Sequence, residues 1–469
     1  MQRLSGMDAS FLYLETPSML MHVTGTIVLD PAGMEGGYRW EAFKEMLAER
    51  IHLLPPFRRR LVTVPFGLGH PVWIEDPDFD LDAHVRRAAV PAPGSMHELA
   101  EIVGDLAGRP LDRSRPLWEM WVVEGLADGH IAIVTKMHHS AIDGASGADL
   151  MAHIFDLDPD DVTVPPDDGS WQPEQAPSDL SLAAKALATQ ATSPVRMVRL
   201  MGKTVGSMAD IVRQRVGRPS DAVPSPMPFG APRTPFSGAI TSHRSVAFAR
   251  TSLDDFKHVK NAFGTTVNDV VLAASAVSLR HWLIDRGGLP DKPLVASVPV
   301  SVRGDDSEGL GNQVSAMLVN LPVQLDDPAA ILGEIQQNTK GAKELHGAIG
   351  ADMLQDWSEF APPAVLARVA RFYSSWNLAD HHAPMHNLVI SNMPGPPIPL
   401  YCAGARVLST YPMGPVMEGA GLNITVLSNM GNVDFGAIAC RELVPDIWDI
   451  ATGFSAAVDE LVKLADQRA

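Results

Sequence analysis

Ile131-Ala132-Ile133-Val134-Thr135-Lys136-Met137-His138-His139-Ser140-Ala141-Ile142-Asp143-Gly144 is the stretch from which the rest of the chain can be read. Its first seven residues are β-branched or apolar almost throughout, which specifies a buried strand. Asp143-Gly144 supplies turn chemistry, and Gly147-Ala148-Asp149-Leu150-Met151 opens a helix. The histidine pair therefore stands where a strand ends. Successive strand side chains face opposite ways, so both imidazoles reach one cleft only if the strand has already broken. One histidine is expected to be chemical and the other structural. A free imidazole has a pKa of about 6.5, is largely neutral near pH 7 and can accept a proton from a hydroxyl, which makes general base its natural role. The competing reading is two satisfied histidines beside a helix cap. His381-His382 takes that reading, because Ala383-Pro384-Met385 follows it with neither acid nor turn glycine. The first pair differs in carrying the complete pattern His-His-x-x-x-Asp-Gly.

The chain has 469 residues, 46% of them hydrophobic, enough for two or three domains with sizeable cores. A net charge of −18 argues against nucleic acid or a broadly polybasic membrane patch. Cys402 and Cys440 are too few for a disulfide framework and fit a reducing compartment. Asp8 and Glu15 interrupt the apolar N-terminus, and no run of about 18 uninterrupted apolar residues occurs. The expected location is the cytoplasm, with lipid substrates reached by docking at a membrane surface rather than by spanning it.

Residues 158–180 carry five prolines and no Lys or Arg, and 217–235 carry six more prolines, so both read as linkers. Between them 181–216 is expected to be helical. Val195, Val198, Met201, Val205, Met208, Val212 and Val216 form an apolar stripe, with Arg196, Arg199 and Lys203 forming a basic one. Strands mix with helices on both sides. The chain thus divides into an N-terminal α/β lobe at 1–157, a connector at 158–235 and a C-terminal α/β lobe at 236–469.

The His-His-x-x-x-Asp-Gly pattern resembles the signature of the coenzyme-A-dependent acyltransferase superfamily. Within it, Arg115-Pro116-Leu117-Trp118-Glu119, Val267-Asn268-Asp269-Val270, Val298-Pro299-Val300-Ser301-Val302-Arg303 and Asn387-Leu388-Val389-Ile390-Ser391-Asn392 are similar to blocks of the bacterial wax ester synthase/diacylglycerol acyltransferases. Gly421-Leu422-Asn423-Ile424-Thr425, Asp434-Phe435-Gly436 and the opening Leu4 to Leu12 continue the likeness over nearly the whole chain. The resemblance implies two chloramphenicol-acetyltransferase-like lobes with mixed sheets and an active-site tunnel between them. It implies no cofactor, with long-chain acyl-coenzyme A as co-substrate and diacylglycerol, or a long-chain alcohol, as acceptor. It further implies peripheral association with the inner membrane or lipid inclusions.

On that resemblance His139 is the general base and His138 its neighbour. Asp143, before Gly144, can cap the following helix or pair with a distant cation. The resemblance makes it the acid that holds the loop in a buried ion pair, with Arg303, which also reads as an ordinary surface arginine after a strand, as the candidate partner. Asn268 and Asp269 stand at a helix start, where capping is the simplest role; the resemblance turns Asn268 toward the site and leaves Asp269 as the cap. Pro116, Leu117 and Trp118 are apolar enough for plain packing, and in the family they line or support the substrate site. Arg58-Arg59-Arg60 and Arg86-Arg87 suit phosphate recognition, although short basic runs are usually solvated faces. Competing motifs fail. Met197 replaces the first glycine of a phosphate loop ending Gly202-Lys203-Thr204, there is no Gly-x-Ser-x-Gly elbow, and zinc-type spacings are absent. Two other readings stand beside acyl transfer from coenzyme A: transfer from a carrier protein, as in condensation domains, and a non-catalytic lipid-binding protein.

Overall fold

The computed structural model describes residues 1–142, 152–159, 164–167, 169, 171–191, 229–301, 314–349 and 363–468. The N-terminal part runs through β1 (Gln2–Arg3), α1 (Gly6–Leu14), β2 (His22–Asp30), α2 (Trp40–Arg50), β3 (Arg59–Val62), β4 (Val72–Glu75), β5 (Val85–Ala89), α3 (Met96–Ala107), β6 (Trp118–Glu124) and β7 (Ile131–His138). After α4 (Asp179–Ala191) come β8 (Arg244–Ser252), α5 (Leu253–Phe263), α6 (Val267–Asp285), β9 (Leu294–Ser301), β10 (Val314–Leu321), α7 (Pro328–Ile349) and α8 (Pro363–Ser375). The chain closes with β11 (Leu388–Met393), β12 (Tyr401–Cys402), β13 (Ala405–Met413), β14 (Leu422–Asn429), β15 (Asn432–Cys440) and α9 (Ile447–Asp466).

Local chemistry explains the helix starts nearest the site. Ser95 and Glu98 form a reciprocal capping box on α3, and Thr266 and Asp269 form one on α6. The strand expected at 131–137 is β7, buried on both faces for most of its length. Two mixed six-stranded sheets result, ordered β12-β13-β2-β7-β6-β5 and β10-β9-β11-β14-β15-β8. This is the expected α/β class with two lobes.

The lobe boundary departs from the sequence expectation. Residues 401–413, assigned to the C-terminal lobe, leave it: β13 pairs antiparallel with β2, so the N-terminal sheet is completed by strands from the far end of the chain. The family-like blocks around this crossing are seam residues. Asp434, fully buried, accepts the Thr410 amide of β13 at 2.8 Å, with the Arg250 guanidinium 3.2 Å away. Asn423 accepts the Gly414 amide and donates to the Pro415 carbonyl. A hydrophobic cluster of α3 and the first sheet with Val246, Phe248 and Ile438 joins the lobes into one interior.

The connector is not a free tether where it is described. Leu182 and Ala186 of α4 pack on Val64, Val72 and Ile74, and the Arg58 guanidinium lies 5.1 Å above the Trp171 ring. The expected helix over 181–216 is described only to Ala191, and its basic stripe lies outside the described residues. Both cysteines are free and buried.

Candidate active site

Strand β7 ends at His138, so His139 already lies in the following turn. Its amide donates to the Met21 carbonyl at 2.8 Å, while the His138 amide donates to Leu117 O at 3.0 Å. The strand has broken between the two histidines, and both imidazoles consequently meet the same helix. Phe11 and Glu15, four residues apart at the C-terminal end of α1, take one each. The Phe11 and His139 rings stack with centroids 4.1 Å apart and planes 15° apart.

The proton on His138 can be assigned from its neighbours. Nδ1 accepts the Ser140 amide at 3.1 Å and lies 2.7 Å from the Ser140 hydroxyl, so the proton sits on Nε2, which donates to Glu15 Oε2 at 3.1 Å. Arg113 donates to the same carboxylate oxygen. Burial alone would push Glu15 up, but the hydrogen bond and charge of His138 and the Arg113 guanidinium outweigh it and hold the carboxyl at about 2. Burial lowers His138 despite the attraction of Glu15, so the imidazole stays neutral. With both ring nitrogens committed and the residue buried, His138 has no nitrogen to offer a substrate hydroxyl. His139 is the half-buried member of the pair.

Beneath the pair, two groups tie β2 and β7 to the C-terminus of α3. His22 Nε2 donates to the Ala107 carbonyl, and the buried Lys136 ammonium donates to the Leu106 and Arg109 carbonyls while pairing with Glu119 at 3.1 Å. A cation there satisfies helix-terminal carbonyls and meets the negative end of the helix dipole. Burial, reinforced by Lys136, depresses His22 to about 3. The unfolded chain therefore takes up a proton near pH 6.5 that the folded chain refuses until about pH 3. Stability is expected to fall as pH drops through this window, with Glu15 adding a further loss between about pH 4.5 and 2. Urea midpoints for wild type and His22→Gln at pH 7 and pH 5 measure it; equal pH slopes for the two proteins would contradict the assignment to His22.

Pro116, Leu117 and Trp118 lie at the start of β6, directly beside the histidine strand. All three are buried, and the Trp118 ring is enclosed between Phe57 and His84 with its indole N–H on the Phe57 carbonyl. On the other lobe, the cap of α6 is Thr266, one turn earlier than the placement of a helix start after Asn268-Asp269. Asp269 completes the capping box and also accepts the Thr339 hydroxyl at 2.8 Å, tying α6 to α7. Asn268 is half-buried beside Asn392 at the end of β11, their amides 3.5 Å apart. Asp143, Gly144 and Arg303 lie outside the described residues. Among the arginines considered for phosphate, Arg59 pairs with Glu75, Arg60 with Asp76 and Arg87 with Glu124, which leaves those runs engaged in structure. His382 is satisfied between the Tyr373 hydroxyl and the Ala383 carbonyl, as a structural histidine should be. Sequence reasoning missed Phe11, Glu15 and Arg113.

No group of three or more His, Cys, Asp or Glu able to hold a metal occurs among the described residues. No single described helix is long and apolar enough to cross a membrane.

A strand-end histidine pair, with both ring nitrogens of His138 bonded and His139 carried into the turn, is thus the candidate site on a two-lobed α/β frame. The chain belongs to the wax ester synthase/diacylglycerol acyltransferase family: the family's catalytic-domain model matches residues 4–271 and its C-terminal-domain model residues 310–462. A putative diacylglycerol O-acyltransferase of Mycobacterium tuberculosis is 41% identical over 100% of this chain and 91% of its own length. One from Mycobacterium bovis is 37% identical, covering 97% of each chain. Among solved structures, the wax ester synthase/diacylglycerol acyltransferase of Marinobacter aquaeolei VT8 superposes with a TM-score of 0.70 at 28% identity over 99% of this chain and 100% of that one. The first condensation domain of the calcium-dependent antibiotic synthetase shares the fold, with a TM-score of 0.57 at 15% identity over 100% and 97% of the two chains.

Proposed function

We propose that the protein transfers a long-chain acyl group from acyl-coenzyme A to diacylglycerol, forming triacylglycerol, with a long-chain alcohol as the alternative acceptor that yields a wax ester. The observation that carries the reading is the asymmetry of the histidine pair: His138 has both nitrogens in use, and His139 stands free of the strand on a stacked platform. His139 takes the acceptor hydroxyl proton as that oxygen bonds to the thioester carbonyl carbon. The C–S bond then breaks and the thiolate receives the proton, so the products are the ester and free coenzyme A. No acyl-enzyme is formed. Asp143 holds the loop through Arg303, and Asn268 faces the reacting groups across a tunnel between the lobes. The enzyme works in the cytoplasm at the surface of the inner membrane or a lipid inclusion.

Product analysis by mass spectrometry after incubation with palmitoyl-coenzyme A and either diacylglycerol or hexadecanol tests the reading. Triacylglycerol or wax ester is expected. A folded protein that makes neither would sink it.

Glu15 acts as a positioning residue in this scheme, because it touches His138 and Arg113 but not the reacting atoms. Glu15→Gln is expected to lower kcat by about 10- to 100-fold through misplacement of the histidine turn, with little change in KM. A variant with unchanged kcat would remove Glu15 from the mechanism.

A further inference from the structure

Helix α8 is apolar on two opposite sides. Its inner side is accounted for: Leu366 and Ala367 pack on the cluster containing Leu4, Leu12, Leu61 and Leu117, and Ser374 meets the Ser18 hydroxyl at 2.8 Å. On its outer side Val365, Val369, Phe372 and Trp376, spaced four, three and four residues apart, form a continuous stripe along the helix. Each is more than half exposed, Trp376 at 65%, and the Phe372 and Trp376 rings lie 5.2 Å apart. The turn Pro65–Gly67 abuts this helix and holds Phe66 at a φ of 59°, with 92% of the residue in solvent. Soluble surfaces expose single apolar side chains freely, but a contiguous aromatic stripe marks something that covers it.

The charges along the stripe indicate what that is. Arg368 and Arg371 are exposed beside it and make no ion pair or hydrogen bond among the described residues, in a chain whose net charge is −18. Two uncommitted guanidinium groups flanking a Val-Val-Phe-Trp stripe match the boundary between acyl chains and anionic headgroups. The exposed Trp376 indole suits the same depth, with its ring in the apolar layer and its N–H toward headgroup oxygens.

We infer that the outer face of α8, with Phe66 beside it, docks the protein on a lipid surface carrying anionic headgroups. The inference rests on the lipid-acceptor reading above and assigns that reading a surface. Its position gives it a use: the inner side of α8 packs on α1, whose Phe11 and Glu15 hold the histidine pair, so the docked face lies one helix away from the site.

The test separates docking from catalysis by measuring binding with no acyl-coenzyme A present. Wild type and a Val369→Ser/Phe372→Ser/Trp376→Ser variant are co-sedimented with phosphatidylcholine vesicles, with and without phosphatidylglycerol. Transfer to an acceptor dispersed in detergent is assayed in parallel. Wild type is expected to bind the phosphatidylglycerol vesicles at least about tenfold more tightly than the variant, and Arg368→Gln/Arg371→Gln to lose the preference for phosphatidylglycerol. The variant is expected to keep its melting temperature and its transfer in detergent. Equal vesicle binding by wild type and the serine variant would overturn the inference. So would a wild-type dimer in sedimentation that those substitutions dissociate without any vesicle binding, because a second copy would then cover the face. Loss of transfer in detergent by wild type, with vesicle binding intact, would refute the acyltransferase reading and leave the docking face standing.

Discussion

His139→Ala is expected to abolish acyl transfer, lowering kcat by at least about 100-fold and up to about 10,000-fold, the span that removal of a general base produces. The fold should survive, because His139 is only half-buried and its backbone amide, which alanine retains, makes the bond to Met21. The informative comparison is His138→Ala. That change leaves Glu15 and Arg113 as a pair without their third member and opens a cavity under the turn, so stability and rate should fall together. Steady-state rates and thermal melts of the two variants decide between the histidines. If His139→Ala keeps more than a tenth of the activity while His138→Ala is well folded and dead, the roles assigned here are reversed.

The second large effect is expected at the seam. Gly436 lies on β15 where β13 crosses, and a Cβ at this position would stand 2.5 Å from the Pro412 carbonyl oxygen. Backbone, not a flexible side chain, is what it meets, and β13 cannot yield without disturbing its ladder to β2. Gly436→Ala is therefore expected to destabilise the protein by about 1–3 kcal/mol, the typical cost of overpacking an interior. The urea midpoint should drop with the m-value unchanged. A midpoint equal to wild type would mean that the two strands separate more freely than their packing indicates.

Much of the site was readable from short-range pattern. The β-branched run from Ile131 announced β7, and strand alternation made a break the condition for both histidines to reach one cleft; the strand ends at His138. What resisted reading depends on partners distant in sequence. Glu15 is one acid in an apolar segment and resembles a surface residue until the fold sets it 3.1 Å from His138, 123 residues away. Trp118 reads equally well as a cleft wall or as packing, and its stack with Phe57 and His84 exists only in the fold. The crossing of 401–413 has no local signature, since an apolar strand looks the same whichever sheet receives it. Asp434 and Gly436 were recognisable as a shared block, but their purpose exists only once β13 lies against them.

The crossing strand also sets a schedule for making the protein. β7 ends at residue 138 and its sheet is finished only by β13, which ends at residue 413, so about 275 residues must be added in between. At roughly 5–20 residues per second this takes on the order of 15–55 s. Throughout that interval the apolar strand β2, which contains Ile27, Val28 and Leu29, offers an open edge as the nascent chain grows. Neither half can be expected to mature alone. Ribosome-bound chains should present this edge to chaperones until the last quarter of the protein emerges.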